Sequence, residues 1–300
     1  MTTPVNIGLV QMSMAADPAD NAVRAERAIE QAVGQGARVV CLPELFLTPY
    51  FCQVESAEVF DWAEPIPGPT TERFARIAQR VGAALVVPLF ERRAAGIYHN
   101  SAVVIDRQGQ IAGHYRKMHI PDDPAYYEKY YFTPGDLGFV AVSVEGLRIG
   151  VLICWDQWFP EAARLTAAAG ADVLFYPTAI GWHPDERDEH GDEQREAWMT
   201  VQRGHAVANG VYVAAVNRVG FEPPASGSGR GLQFWGSSFV AGPLGAVVAQ
   251  APSDAETVVV VEIDPSRIEA VRRGWPFWRD RRIDAYGPIT RRWGDGPAVR

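Results

Sequence analysis

Three hundred residues, 47% of them hydrophobic, can build a large core in one α/β domain or two smaller ones. A formal charge of −8 argues against a nucleic-acid or anionic-membrane surface, and no apolar run approaches the roughly 20 residues that span a bilayer. Three cysteines (Cys41, Cys52, Cys154) are too few and too odd in number for a disulfide framework, and the opening MTTPVNIGLVQ lacks the regions of a signal peptide, so a soluble, cytoplasmic protein is expected.

Residues 6–11 (NIGLVQ) read as a first strand. Asp17 or Asp20 can cap a helix running to Gly34, with Val23, Ala28, Ile29, Ala32 and Val33 at helical spacing. Residues 37–42 form a buried strand that stops at Pro43-Glu44, which puts Glu44 at the carboxyl edge of a sheet, where open α/β folds place their sites. Pro69 opens a helix through Val81, ended by Gly82, and the strand 83–88 follows. Residues 98–105 alternate into a further strand, and the turn 106–109 leads through 110–115 into Arg116-Lys117. Of the 28 basic residues only Lys117 and Lys129 are lysines, so a lysine retained here is a candidate for chemistry that needs a compact ammonium.

Residues 122–132 (DDPAYYEKYYF) have no clean period and read as an ordered loop, followed by a strand at 140–144. Residues 147–153 (LRIGVLI) form a buried strand ending on Cys154, and Pro160 opens the alanine-rich helix behind it. A cysteine at that turn is expected to expose its sulfur near free N–H groups and the positive helix end, which favours thiolate and offers donors to an oxyanion. Residues 171–177 form another strand, and 183–194 (HPDERDEHGDEQ) read as an acidic surface loop whose spacing fits no zinc signature, so no metal is expected. A helix over 196–209 ends at Gly210, strands follow at 211–217, 237–241 and 257–263, and 222–229 is a flexible loop. The tail, 265–300, is aromatic and arginine-rich and is expected to pack at a subunit interface. Strands and helices alternate throughout, which predicts one α/β domain over 1–300.

Three strand ends thus carry Glu44, Lys117 and Cys154. A thiol nucleophile needs a base that takes its proton and later activates water, and a carboxylate does both. An ammonium supplies charge and donors to the tetrahedral oxyanion, so the three residues form a complete set for acyl transfer. A Cys/His protease reading fails, because His119 and His205 have no evident orienting partner in the sequence.

The segments LPELF, YRKMHIP and ICWDQWFPE resemble the nitrilase superfamily of carbon–nitrogen hydrolases over nearly the whole chain. ICWDQWFPEAAR, DDPAYYEKYYFTPGDLGF and WPFWRDRRIDAYGPI most resemble its branch acting on N-carbamoylputrescine. The resemblance implies a four-layer α-β-β-α sandwich, no cofactor and a homo-oligomer of two or more copies. It implies Glu44 as general base, Cys154 as nucleophile, Lys117 as the oxyanion-stabilising ammonium with the Trp155 N–H as second donor, and Glu128 as the carboxylate that holds the lysine. A cationic substrate end would be met by Asp122, Asp123, Asp156 or the stretch around Glu186 and Asp188, with Tyr50, Tyr126 and Trp155 as walls. N-carbamoyl-β-alanine would instead want an arginine in the pocket. An ω-amide or nitrile would use the same triad, and the reading of another class is a non-catalytic oligomeric binding protein.

Overall fold

Side chains alternate between two cores along the strands, and that alternation decides the layering. The computed structural model describes residues 3–224 and 229–294. Strands β1 (Val5–Gln11), β2 (Val39–Cys41), β3 (Ala84–Ala94), β4 (Ile97–Ile105), β5 (Ile111–Arg116) and β15 (Thr257–Ile263) make one sheet, ordered β15-β1-β2-β3-β4-β5. Strands β6 (Ala141–Val144), β7 (Leu147–Val151), β8 (Val173–Thr178), β10 (Tyr212–Asn217), β13 (Phe239–Ala241) and β14 (Val247–Gln250) make the second, ordered β14-β13-β10-β8-β7-β6. A small third sheet, β11-β12-β9, joins β9 (Gly181–Trp182), β11 (Val219–Glu222) and β12 (Leu232–Trp235).

Ile7, Leu9, Val39, Cys41, Ala84 and Val86 face the core between the two large sheets, with Ile149, Val151, Val213 and Ala215 in the same cluster. Their neighbours Val10, Val40, Leu42, Leu85 and Val87 face the opposite way, onto Ile29 and Ala32 of α1 (Pro18–Gly34) and Phe74 and Ile77 of α2 (Pro69–Val81). This period of two is what a strand covered on both faces requires. Helices α4 (Pro160–Ala168) and α5 (Arg187–Asn209) cover the other side of the second sheet, and the result is the α-β-β-α sandwich. Among the described residues no helix is long and apolar enough to cross a membrane.

Asp17, not Asp20, caps α1, its carboxylate accepting from the Ala19 N–H. The helix buries Ile29 and Ala32 as expected, with Ala28 and Val33 partly buried on the same core, whereas Val23 is exposed and Ala22 and Ala25 take its place. The short helix α3 (Glu128–Tyr131) interrupts the expected loop 122–132. The acidic stretch is also not a loop: α5 starts at Arg187, nine residues before the expected Glu196. No apolar period marks its first turns. They are held from outside, by the Trp182 indole N–H donating to Gly191 O and by Arg187 and Arg195 over the Trp182 ring. Of the loop 222–229, residues 225–228 lie outside the described residues.

In the tail, α6 (Pro265–Gly274) buries Ile268, and Trp278 packs on the main core and donates to Asn209 O. Beyond Trp278 the tail leaves Ile283, Ile289 and Trp293 exposed.

Candidate active site

Glu44, Lys117 and Cys154 each follow the carboxyl end of a strand, and Glu128 opens α3. Glu44 comes three residues after β2, Lys117 directly after β5 and Cys154 three residues after β7. Glu44, Lys117 and Glu128 have no exposed surface, and Cys154 is 4% exposed. The Lys117 ammonium donates to Glu44 Oε1 at 2.8 Å and to Glu128 Oε2 at 2.7 Å. Asn100, on β4, donates through Nδ2 to Glu44 Oε1 at 2.7 Å and accepts the Lys117 N–H at its own carbonyl. Tyr50 donates through its hydroxyl to Glu128 Oε1 at 2.6 Å. The second oxygen of Glu44, Oε2, is buried without a partner among the described residues, which leaves that oxygen free for a proton or a substrate.

The strand end before Lys117 is anchored on both sides. Arg116 forks onto Glu91, Nε to Oε2 at 2.8 Å and Nη2 to Oε1 at 2.5 Å. Gly135 donates its N–H to Lys117 O at 2.8 Å, and a Cβ there would come within 2.0 Å of Arg116 O. A side chain at position 135 would therefore displace the lysine.

Cys154 opens a one-turn 3-10 helix (Cys154–Trp158) with φ at +42°, a conformation that non-glycine residues rarely adopt. The sulfur is buried rather than exposed and donates to Ala179 O at 3.8 Å. Burial and the nearby Glu44 carboxylate push its thiol well above the ordinary range, against the pull of Lys117. The expectation that this turn favours thiolate is opposed here, because burial and Glu44 both favour the neutral thiol. Burial works against the charge on Lys117, but Glu128 and Glu44 outweigh it and hold the ammonium protonated. Burial, and the charge of Glu44, push the Glu128 carboxyl upward, against the pull of Lys117.

A cavity of about 460 Å³ opens above Cys154, lined by Glu128, Tyr126, Trp155, Trp158, Ile180 and Trp235, with Asp123, His183, Glu186 and Gln194 also on its wall. Tyr50 stands behind Tyr126, ring centroids 5.5 Å apart. Asp123 and Glu186 are exposed and reach the cavity, whereas Asp122 and Asp188 are not among its lining residues. Asp156 is also not a pocket carboxylate. It is fully buried and accepts from the Ile153 N–H at 2.9 Å, the Tyr115 hydroxyl at 2.7 Å and the His119 N–H at 3.0 Å, with His119 Nδ1 at 2.7 Å. It ties the turn bearing Cys154 to the segment bearing Lys117. His119 does have an orienting carboxylate, then, but it is stacked on Phe159 and is absent from the cavity lining. Lys129 is exposed on α3.

Sequence reasoning missed Asn100 and Arg218, both fully buried. Arg218 had a readable signal, a charge directly after the buried strand β10. No group of three or more His, Cys, Asp or Glu side chains placed to hold a metal ion occurs among the described residues.

Residues 6–273 match the carbon-nitrogen hydrolase family. The chain is 43% identical to the N-carbamoylputrescine amidase of Solanum lycopersicum over 98% of its own length and 97% of that protein's. It is 37% identical to a citrullinase of Francisella tularensis over 96% of its length and 99% of the relative's. A crystal structure of a carbon-nitrogen hydrolase from Helicobacter pylori superposes with a TM-score of 0.94 at 45% identity, over 97% of this chain and 100% of that one.

Proposed function

The chain belongs to the carbon-nitrogen hydrolase family, and from that premise we propose that it hydrolyses the carbamoyl group of N-carbamoylputrescine to putrescine, ammonia and carbon dioxide. The observation that carries the reading is the Lys117 ammonium enclosed between two carboxylates, one of which, Glu128, lines with Cys154 a cavity of ligand size.

Glu44 takes the Cys154 proton as the sulfur attacks the carbamoyl carbon, so no standing thiolate is required. Lys117 and the Trp155 N–H hold the oxyanion, and Glu128 keeps the ammonium charged and in place. Collapse breaks the bond to the terminal nitrogen, which leaves as ammonia with the proton from Glu44. Glu44 then deprotonates a water that attacks the S-carbamoyl carbon. The thiol is restored and a carbamate leaves, which loses carbon dioxide to give the amine. Every step uses only groups of the chain and one water, and the reading assigns no cofactor.

Asp123 and Glu186 face the distal ammonium in this reading, with Tyr126, Trp155 and Trp158 along the methylene chain. The carboxylate of N-carbamoyl-β-alanine would meet no arginine among the lining residues. A non-catalytic binding protein would have no use for a buried ammonium between two carboxylates, which is costly to fold. The test is ammonia release from N-carbamoylputrescine, N-carbamoyl-β-alanine and citrulline side by side, with Cys154→Ala as control. Preference for the first supports the reading. Preference for citrulline would keep the triad and change the substrate, and full activity of Cys154→Ala would overturn the whole assignment. The exposed Ile283, Ile289 and Trp293 are assigned to contact with a second copy in the cytoplasm.

A further inference from the structure

Glu44 belongs to one large sheet and Cys154 to the other, so the proton transfer between them depends on how the two sheets are held at this end. Asp156 ties them on the β5 side, and a second buried side chain spans the gap next to Glu44. Arg218 directly follows β10 of the second sheet and has no exposed surface. Its Nε and Nη2 both donate to the backbone carbonyl of Glu44, at 3.1 and 2.9 Å, and Nη2 also reaches Leu45 O at 2.6 Å. Leu45 is held at a φ of +48°, in the left-handed region a leucine disfavours. A chain bent that way straight after the general base needs its carbonyls fixed from outside, and the guanidinium fork fixes both.

The other end of the guanidinium addresses the rest of the site. Nη1 donates to Glu222 Oε1 at 2.9 Å, and Glu222 Oε2 accepts the Tyr50 N–H at 2.5 Å. Tyr50 is the residue whose hydroxyl holds Glu128. The guanidinium also lies 5.8 Å from the Tyr50 ring centroid and 5.6 Å from that of Phe234. One ion pair therefore reaches the backbone of Glu44 directly and Glu128 through Tyr50, with no contact to Cys154 or to the cavity. We propose that Arg218, seated by Glu222, is a positioning residue that registers the base Glu44 and the lysine-holding Glu128 against Cys154 across the two sheets.

This rests on the acyl-transfer reading of the site, and the test separates the two. Arg218→Lys keeps the charge but cannot fork onto two carbonyls. The pair Arg218→Met with Glu222→Leu removes both charges together, which buried ion pairs often tolerate in stability. Folded molecules are counted by pulse alkylation of Cys41, which is fully buried and reacts only on unfolding. Per folded molecule, both variants are expected to lose kcat by on the order of 100-fold, with KM within about threefold of the parent, because the base is displaced while the cavity is not. A kcat per folded molecule within about threefold of the parent in either variant, or a loss confined to KM, overturns the proposal. Failure of the acyl-transfer reading would appear separately, as a parent chain that releases no ammonia from any of the three substrates.

Discussion

The floor and the mouth of the cavity are built from the same residue types under opposite conditions. On the floor stands Glu128, and behind it Lys117 is shared between Glu44 and Glu128 with all three fully buried. At the mouth, Asp123 and Glu186 stand in solvent, and Glu186 accepts a bond from Gln194 at 3.1 Å. A charge on the floor costs several kcal/mol unless it is paired, so no floor residue can change alone without loss of fold or reaction. At the mouth a charge is worth about 0–1 kcal/mol and can be exchanged freely. In the proposed reading, burial fixes the reaction and the choice of substrate is left to adjustable surface groups.

Substitutions can break that contrast in order of depth. Lys117→Arg should lower kcat by on the order of 1,000-fold with the fold retained, because a guanidinium cannot take the place of a compact ammonium between two carboxylates. Near-normal turnover, measured by ammonia release, would show that the floor is less constrained than its geometry implies. Asp156→Asn keeps the shape but turns one acceptor into a donor facing donors. A loss of about 10- to 100-fold in kcat, with a fall in thermal midpoint equivalent to about 1–3 kcal/mol, is expected. An unchanged kcat would mean that the Cys154 and Lys117 segments hold their places without it. Glu186→Gln should raise KM for the cationic substrate only about two- to fivefold and leave kcat alone. A larger effect would move Glu186 from the adjustable mouth to the fixed set.

The smallest signal expected is spectroscopic. Because burial and Glu44 raise the Cys154 thiol above its ordinary value of 9.0, the proton stays on sulfur at pH 7 and ionises only on the alkaline side of that value. Difference absorbance at 240 nm between the parent and Cys154→Ser should then show no thiolate at pH 7. A full thiolate band at that pH would mean that Lys117 outweighs burial and Glu44 together.

Glu44 and Cys154 are legible because each ends an apolar run, a local signal, and Lys117 because lysine is scarce. Arg218 ends the apolar strand β10 in the same way. With 26 arginines in the chain, however, a lone arginine looked like any surface charge, whereas the scarcity of lysine singled out Lys117. Asp156 was misplaced because its partners Tyr115 and His119 lie 41 and 37 residues away, and a carboxylate's partners are not written beside it. The first turns of α5 were unreadable for a related reason: their support comes from Trp182, outside the helix. In the layering, the period of two was visible in each strand, but which face met which helix depended on the pairing of strands distant in sequence.

The neutral resting state of Cys154 has a consequence for redox chemistry. Peroxide attacks thiolates, and a buried thiol is a poor target. In the proposed reading, Cys154 is a poor target for oxidants between turnovers and becomes reactive only when Glu44 takes its proton with substrate bound. The two other cysteines, Cys41 and Cys52, are likewise buried, and burial pushes both thiols upward, which makes them poor targets as well.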